Sequence, residues 1–268
     1  MHTNYVISLA TAEQRRKHIK TEFNHQNISF EFFNAFYPSE ALSQLIDQYL
    51  PNLAHTSLSE VEKACFMSHF MLWQKCIHDN LPYIYIFEDD ILLGENAYSF
   101  LSKDNWLEER FSQRDKFILR FETFLNYSKC RNVNISPFHE RQILKLIVEN
   151  CGAGAYVLSK EAAKSLCNLI TQLPTEKLLA IDLLMFNTFL NKENIFSYQL
   201  SPALCIQERL IYKESSKLSS QLEESRQILH NNKKKKRRTL IQLLKSIINK
   251  PKKLWRKYYK NRHIIIFK

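Results

Sequence analysis

The sequence predicts an α/β protein in which strands and helices alternate along one domain, followed by a basic segment. Short apolar, β-prone runs recur between residues 1 and 210, and amphipathic stretches with polar caps or proline boundaries separate them. Such alternation is typical of a layered fold in which helices cover a sheet. The third observation is an abrupt change of charge near residue 230, which sets the C-terminal segment apart.

Apolar runs and helix-capping residues predict the first elements. Residues 5–9 and 28–36 are β-prone and predict two strands. Between them, Thr11 can cap a helix over 12–25, because its hydroxyl can accept a backbone N–H at the helix start. A proline at its start and another just beyond its end bound a second helix over 38–50.

A capping box predicts the start of the next helix. The Ser59 hydroxyl can accept the backbone N–H of Glu62, whose carboxylate can reach back to the N–H of Ser59. The residues that follow place apolar side chains three and four positions apart, on one helical face, until Pro82 ends the pattern. The apolar run 83–87 then predicts a buried strand.

Further strands are predicted over 117–121 and 142–148. The stretch 151–158 contains two of the three glycines in the chain, which indicates a bend or a close backbone approach. Ser159 can cap an amphipathic helix that Pro174 ends.

The last predicted elements are a helix over 180–190, beginning near Asp182, and a strand region over 195–205 that Pro202 interrupts. The chain becomes polar from residue 211. We therefore expect a linker over 211–230.

Basic residues are unevenly distributed along the chain. Residues 231–268 carry 15 of the 38 Lys and Arg residues and no acid, which leaves 23 basic and 27 acidic residues in 1–230, a net charge of −4. This asymmetry predicts a domain over 1–210 and a basic helical tail over 231–268 with a separate task. The 45% hydrophobic content is enough for a sizeable core in the domain.

The tail combines basic and apolar residues in a pattern that suits an anionic membrane surface. The basic run 233–238 precedes leucines and isoleucines at helical spacing, and Trp255 and Tyr258 lie among further basic residues. Each basic residue near such a surface contributes about 1 kcal/mol. A solvated tail without a partner and a nucleic-acid-binding tail are the alternatives.

Several classes of protein are disfavoured by missing motifs. Neither glycine-rich phosphate loop, GxGxxG or GxxxxGK[ST], occurs, and GxSxG is also absent. The six cysteines are scattered without a CxxC pair, so no zinc site is expected and the thiols should be reduced in the cytosol. The sequence shows neither a secretory signal nor a transmembrane segment, which predicts a cytoplasmic protein.

The acidic motif Glu88-Asp89-Asp90 comes directly after the strand predicted over 83–87. Clustered carboxylates at the carboxyl end of a buried strand can hold Mg²⁺ or Mn²⁺, which in turn binds phosphates. The alternative is a solvated turn that follows the strand.

Other polar residues have two interpretations each. Arg15 and Arg16 either face solvent on the first helix or lie near a nucleotide phosphate or base. His69, on an apolar helix face, is better explained as a core histidine. Asp182, between apolar neighbours, either caps a helix or lines a pocket.

Together these residues resemble glycosyltransferase family 25, the lipooligosaccharide galactosyltransferases of Gram-negative bacteria. The resemblance covers about 1–210. Its matching segments are 5–9 with Arg15 and Arg16, 58–69, 86–91, 119–123, 152–159 and 181–182.

One departure concerns the second segment, which in the family often reads GExGCxxSH. Aligned on Cys65 and His69, both glycine positions are changed, to Val61 and Ala64, while Glu62 retains the glutamate. Because glycine allows another group to approach the backbone closely, the side chains of Val61 and Ala64 affect such an approach at this helix start. The changes remove no charged group.

The resemblance implies a GT-A-like, Rossmann-type domain whose acidic motif binds Mn²⁺ or Mg²⁺ and a UDP-sugar. It implies that Glu88 and Asp90 hold the metal, and that Ser8, Arg15 and Asp89 contact the sugar nucleotide. UDP-galactose is the expected donor, because it is the commonest among such bacterial members.

The implied reaction is an inverting transfer of the hexose to a lipooligosaccharide or lipopolysaccharide core. A carboxylate accepts the proton of the attacking hydroxyl, and Asp182 or, as the alternative, Glu122 is expected to be this base. The acceptor is lipid-linked, which predicts a peripheral location on the inner face of the inner membrane. A non-catalytic protein that binds a sugar nucleotide or a surface, with a membrane- or nucleic-acid-binding tail, is the other hypothesis.

Overall fold

A mixed sheet and the helices on both of its faces make up most of the computed structural model, which describes residues 3–212, 218 and 263–268. The strands of the described residues are β1 (Asn4–Ser8), β2 (Glu31–Asn34), β3 (Tyr83–Glu88), β4 (Ile91–Leu93), β5 (Phe117–Arg120), β6 (Glu122–Thr123), β7 (Cys130–Asn132), β8 (Gln142–Leu146), β9 (Ala155–Ser159), β10 (Phe196–Ser201) and β11 (Cys205–Gln207).

The helices of the same residues are α1 (Glu13–His25), α2 (Glu40–Tyr49), α3 (Pro51–Ala54), α4 (Glu60–His78), α5 (Ala97–Leu101), α6 (Asn105–Glu108), α7 (Lys160–Thr171), α8 (Ile181–Leu183) and α9 (Glu208–Tyr212). A 3₁₀ turn at Thr175–Lys177 and a π-helical turn at Leu184–Thr188 flank α8. None of the described helices is both long and apolar enough to cross a membrane.

The larger sheet has the strand order β2-β1-β3-β9-β5-β10-β8-β7. Six of its strands run in one direction, because only β9 and β8 pair antiparallel to both of their neighbours. The predicted α/β fold is therefore confirmed, and its central sheet is mostly parallel in strand direction. A second sheet of three short strands, in the order β4-β11-β6, lies beside the ends of β3 and β5.

Two hydrophobic clusters cover the two faces of the larger sheet. One contains α4 and α7, with Phe66 and Trp73 fully buried. The other contains α1, α5 and α6, with Phe23 and Phe100 fully buried. Helix α7 is amphipathic and buries its apolar face against the sheet, whereas α4 is buried around most of its circumference.

The predicted capping box is present at the start of α4. The Ser59 hydroxyl accepts the backbone N–H of Glu62, and the Glu62 carboxylate accepts the N–H of Ser59. In contrast, the prediction that Thr11 caps the first helix is wrong, since Ala12 occupies the cap position without a side-chain hydrogen bond.

Several predicted elements are shorter than expected. The strand predicted over 28–36 is β2, and the helix predicted over 180–190 is a short α8 followed by the π-helical turn. The strand region predicted over 195–205 is two strands, β10 and β11, separated by a cis peptide bond before Pro202. Backbone propensity over a few residues does not fix such boundaries.

Most of the linker predicted over 211–230 and most of the tail lie outside the described residues, while 211 and 212 form the end of α9. The final residues of the tail, 263–268, are described and lie against the domain. The Ser128 N–H bonds to the His263 carbonyl and the Ala203 N–H to that of Ile266. The side chain of Ile265 is buried.

Candidate active site

Two adjacent parallel strands end at the same edge of the sheet and bring the predicted residues together. β1 ends at Ser8 and β3 at Glu88, and the register pairs Ile7 with Glu88. Helix α1 begins shortly after β1, so its first turns lie beside the residues that follow β3. Arg15 therefore reaches the acidic motif. Ligands of open α/β sheets usually bind at this edge, outside the carboxyl ends of the parallel strands.

A cavity of about 450 Å³ opens at this edge. Its walls come from positions within 7–15, 35–38, 61–69 and 88–90, and from Leu218. The volume lies within the range of roughly 300–1,000 Å³ that is usual for small-molecule sites.

Five of the seven predicted site residues line this cavity: Ser8, Arg15, Glu88, Asp89 and Asp90. The two predicted bases, Glu122 and Asp182, are not part of its described lining.

Arg15 is the principal counter-charge of the acidic motif. One guanidinium nitrogen bonds to Asp89, and the other lies 3.4 Å from a carboxylate oxygen of Asp90. Burial alone would lower the pKa of Arg15, but the charges of Asp90 and Asp89 outweigh it and raise the pKa. The guanidinium thus stays protonated in a partly desolvated position.

Asp90 is only partly compensated by the protein. Burial raises the pKa of Asp90 to about 7, and the charge of Glu88 adds to this effect while Arg15 opposes it. One oxygen of Asp90, Oδ1, has no hydrogen-bond partner among the described residues. A buried acceptor without a partner costs about 1–3 kcal/mol, so the site gains stability when a cation or donor binds there.

Glu88 lies between several polar groups. Its backbone N–H bonds to the carbonyl of Gly154 at 2.8 Å, and one carboxylate oxygen lies 3.4 Å from the Gln207 amide nitrogen. The other oxygen lies 3.7 Å from Nε2 of His69. Burial would raise the pKa of Glu88, but His69 and Arg15 together outweigh it and lower the pKa.

Glu122 is completely enclosed behind the Gly154 peptide. It accepts the N–H of Gly154 at 2.8 Å and lies 3.6 Å from Nε of Arg120. Burial raises the pKa of Glu122 to about 7, because the opposing charge of Arg120 does not fully compensate it. A Cβ at Gly154 would lie 2.7 Å from a Glu122 oxygen, which explains the glycine.

Asp182 supports the other glycine of this stretch. One carboxylate oxygen accepts the N–H of Gly152 at 2.8 Å, and the other accepts the N–H of Leu183 at 2.9 Å. Gly152 has a φ of 91°, a conformation that favours glycine. Asp182 lies in the first turn of α8, whose cap position is Ala180, and it fixes the loop that leads into β9.

The donor set of the acidic motif fits the divalent cation that the resemblance implies. Glu88 and Asp90 offer hard carboxylate oxygens at one cavity wall, and Mg²⁺ and Mn²⁺ prefer such ligands. The unpaired oxygen of Asp90 and its raised pKa both indicate an uncompensated negative charge, which a cation would balance.

The sequence interpretation of His69 was incomplete. The side chain is fully buried, as expected for a core histidine, but it also reaches Glu88 at the cavity. Its neighbour Cys65, predicted from the sequence only as one of six reduced thiols, lines the same cavity. Their separation by four helical positions was the available signal, since it places both on one face of α4.

The fold and this edge define an α/β protein with an acidic cavity at the carboxyl ends of its parallel strands. A sequence model described as glycosyltransferase family 25 (LPS biosynthesis protein) matches residues 1–185. The match covers more than half of the chain, and the chain belongs to this family.

Named relatives agree with the family match. The chain is 57% identical to the lipooligosaccharide biosynthesis protein lic2B of Haemophilus influenzae, over the full length of both. It is 45% identical to the lacto-N-neotetraose biosynthesis glycosyltransferase LgtE of Neisseria gonorrhoeae, over 84% of this chain and 81% of that protein. It is 42% identical to LgtB of Neisseria meningitidis serogroup B, over 83% and 82% of the two chains.

The burial of Glu122 predicts a stability that falls as the pH rises. With its pKa raised to about 7, the native protein retains a proton that the unfolded chain releases near its ordinary value of 4.5. Its contribution to the free energy of unfolding therefore decreases between these values, by on the order of 3 kcal/mol. Glu122→Gln should remove this part of the pH dependence, measured by urea unfolding from pH 4.5 to 8.

Glu176→Gln is the matched control, because Glu176 is exposed on the turn before α8. That variant should retain the wild-type profile. If Glu122→Gln loses stability with pH as steeply as the wild type, the desolvation of Glu122 is not the cause.

Proposed function

We propose that this protein transfers a hexose, galactose by our assignment, from a UDP-sugar to a lipooligosaccharide acceptor, with inversion and with a divalent metal. The observation that carries the proposal is the set of Arg15 and three consecutive acids around a cavity at the ends of β1 and β3. Membership of glycosyltransferase family 25 supports the reaction class. The names of lic2B and LgtE, which refer to lipooligosaccharide and lacto-N-neotetraose biosynthesis, support the acceptor.

The first turns of α1 suit the diphosphate of the donor. Backbone N–H groups at a helix start and the positive end of its dipole favour an anion, and 11–15 line the cavity there. Arg15 adds a permanent positive charge, and Ser8 provides a hydroxyl at the end of β1. Tyr37, at the rim and 63% exposed, offers an aromatic face to the uracil or the sugar.

Glu88 and Asp90 would hold the Mn²⁺ or Mg²⁺ ion, in a GT-A-like arrangement. When bound, such an ion neutralises the negative charge that develops on the departing UDP. Arg15 keeps Asp89 and Asp90 in place and limits their mutual repulsion. The burial of Asp89 and Asp90 strengthens their electrostatic interactions.

A carboxylate must accept the proton of the acceptor hydroxyl as that oxygen attacks the anomeric carbon from the face opposite UDP. We assign this role to Asp182, which is partly exposed and accepts two backbone N–H bonds. Glu122 is the alternative, but it is fully enclosed beneath Gly154. Such a base is worth about 10²–10⁴ in rate.

The basic tail suits an acceptor carried by a lipid. Its charge would hold the protein peripherally on the anionic inner face of the inner membrane, where the acceptor sugar is exposed. The tail is not needed to explain donor binding, because the described cavity lining comes from the domain and Leu218.

Asp90→Asn should abolish transfer while the fold persists. Loss of one charged metal ligand should lower kcat/KM for UDP-galactose with Mn²⁺ by at least about 10²-fold. Thermal stability at neutral pH should not fall, since the substitution removes an uncompensated buried charge. Asp47→Asn, on the exposed face of α2, is the control. Wild-type turnover in Asp90→Asn would refute the metal assignment.

Two isosteric variants test the base. Asp182→Asn should lower kcat by about 10²–10⁴-fold, whereas Glu122→Gln should retain kcat within about tenfold. Steady-state kinetics with a soluble acceptor measures both, and thermal unfolding checks that a weaker bond from Asp182 to the Gly152 N–H has not cost the fold. The reverse order of effects would move the role to Glu122.

Replacing the six basic residues of 233–238 with glutamine should reduce flotation with anionic vesicles by at least tenfold, because each contributes about 1 kcal/mol near such a surface. Transfer to a soluble acceptor should be unchanged. Substitution is preferable to truncation, since 263–268 packs against the domain. Flotation that is equal with neutral vesicles, or unaffected by the replacement, would contradict an electrostatic anchor.

A further inference from the structure

Three side chains of different chemistry converge on the wall of the cavity. Cys65, His69 and Glu88 each offer one ligand atom, and these atoms all lie within 4.8 Å of one another. A thiol, an imidazole and a carboxylate form the donor set that zinc and related ions select, unlike the all-oxygen set that Mg²⁺ and Mn²⁺ prefer.

Rigid elements hold these three residues. Cys65 and His69 lie one turn apart on the same face of α4, which is fixed at its start by the capping box. Glu88 is the last residue of β3, a strand paired on both sides. Because α4 packs directly against β3, the cluster does not depend on a loop.

The ring of His69 provides an independent indication of a ligand. The residue is 0% exposed, and its Nε2 atom has no hydrogen-bond partner among the described residues. The Nε2 atom lies 3.7 Å from the nearer Glu88 oxygen, which is too far for a good hydrogen bond. Two ligands about 2.0–2.1 Å from a tetrahedral ion are roughly 3.4 Å apart, so the separation suits an ion between them.

The other ring nitrogen has the contact expected of a metal-binding histidine. Nδ1 of His69 lies 2.9 Å from the hydroxyl of Tyr156, which also accepts the indole N–H of Trp73 at 3.0 Å. When Nδ1 carries the hydrogen and donates it to Tyr156, the lone pair of Nε2 is directed at the cluster. Such second partners fix the orientation and tautomer of metal-binding histidines.

We propose that Cys65, His69 and Glu88 form a binding site for a thiophilic divalent cation of the Zn²⁺ class. The thiol of Cys65 loses its proton to solvent on binding, and a water from the cavity takes the fourth position, since all three residues line the cavity. This site differs from the proposed Mn²⁺ or Mg²⁺ site, Glu88 and Asp90, because it adds sulfur and nitrogen ligands. The two sites have Glu88 in common. Zinc would therefore compete with the hard cation of the transfer reaction.

Cobalt(II) is the probe, because thiolate ligation gives it a charge-transfer band in the near ultraviolet. Metal-free full-length protein should develop this band, saturating at one equivalent of Co²⁺, and Zn²⁺ should displace it. Cys65→Ser should abolish the band, and it should weaken zinc binding in calorimetry by at least tenfold. Cys151→Ser, at an exposed thiol, is the matched control and should leave both unchanged.

Two further measurements test the zinc-class site independently of the proposed transfer function. Asp90→Asn should retain the cobalt band even though it loses transfer, so failure of one proposal leaves the other intact. X-ray absorption at the zinc edge of the wild-type protein should show one sulfur ligand. An all-oxygen shell, no band in the wild type, or a band that survives in Cys65→Ser would each overturn the zinc-class site.

Discussion

The site depends on how the charges of three neighbouring carboxylates are balanced: Glu88 at the cavity wall, and the buried Asp90 and Glu122. Desolvation is the largest influence on the pKa of each. The protein supplies only partial compensation through Arg15, Arg120 and His69, so Asp90 and Glu122 retain raised pKa values. Structural carboxylates are normally paired or hydrogen-bonded more completely, and incomplete pairing of this kind is typical of functional sites.

The sheet topology explains how these acids come to be neighbours. Strand β9 runs antiparallel between β3 and β5, so the chain enters it through Gly152 and Gly154 at the edge where β3 and β5 end. The Gly154 peptide then bonds to Glu88 through its carbonyl and to Glu122 through its N–H. A Cβ at this position would crowd a Glu122 oxygen and the Gln207 amide nitrogen, so the glycine leaves room for these polar groups as well as shaping the backbone.

The sequence predicted the parts of this arrangement that depend on local pattern. The acids after β3, the arginine on the first helix and the need for glycine near 152–154 follow from strand ends, helix spacing and backbone freedom. The direction of β9 could not be predicted, because pairing depends on where the chain returns to the sheet. For the same reason the contact of His69 with Glu88 was missed, since it arises only when α4 docks on β3.

The position of the C-terminal residues links the basic tail to the cavity. Leu218 lines the cavity, and beyond residue 262 the chain is again held against the domain. Thr123, directly after Glu122, donates its hydroxyl to the carbonyl of Ile265 at 2.6 Å. The described residues on either side of 219–262 therefore lie beside the cavity and next to the strand that carries Glu122.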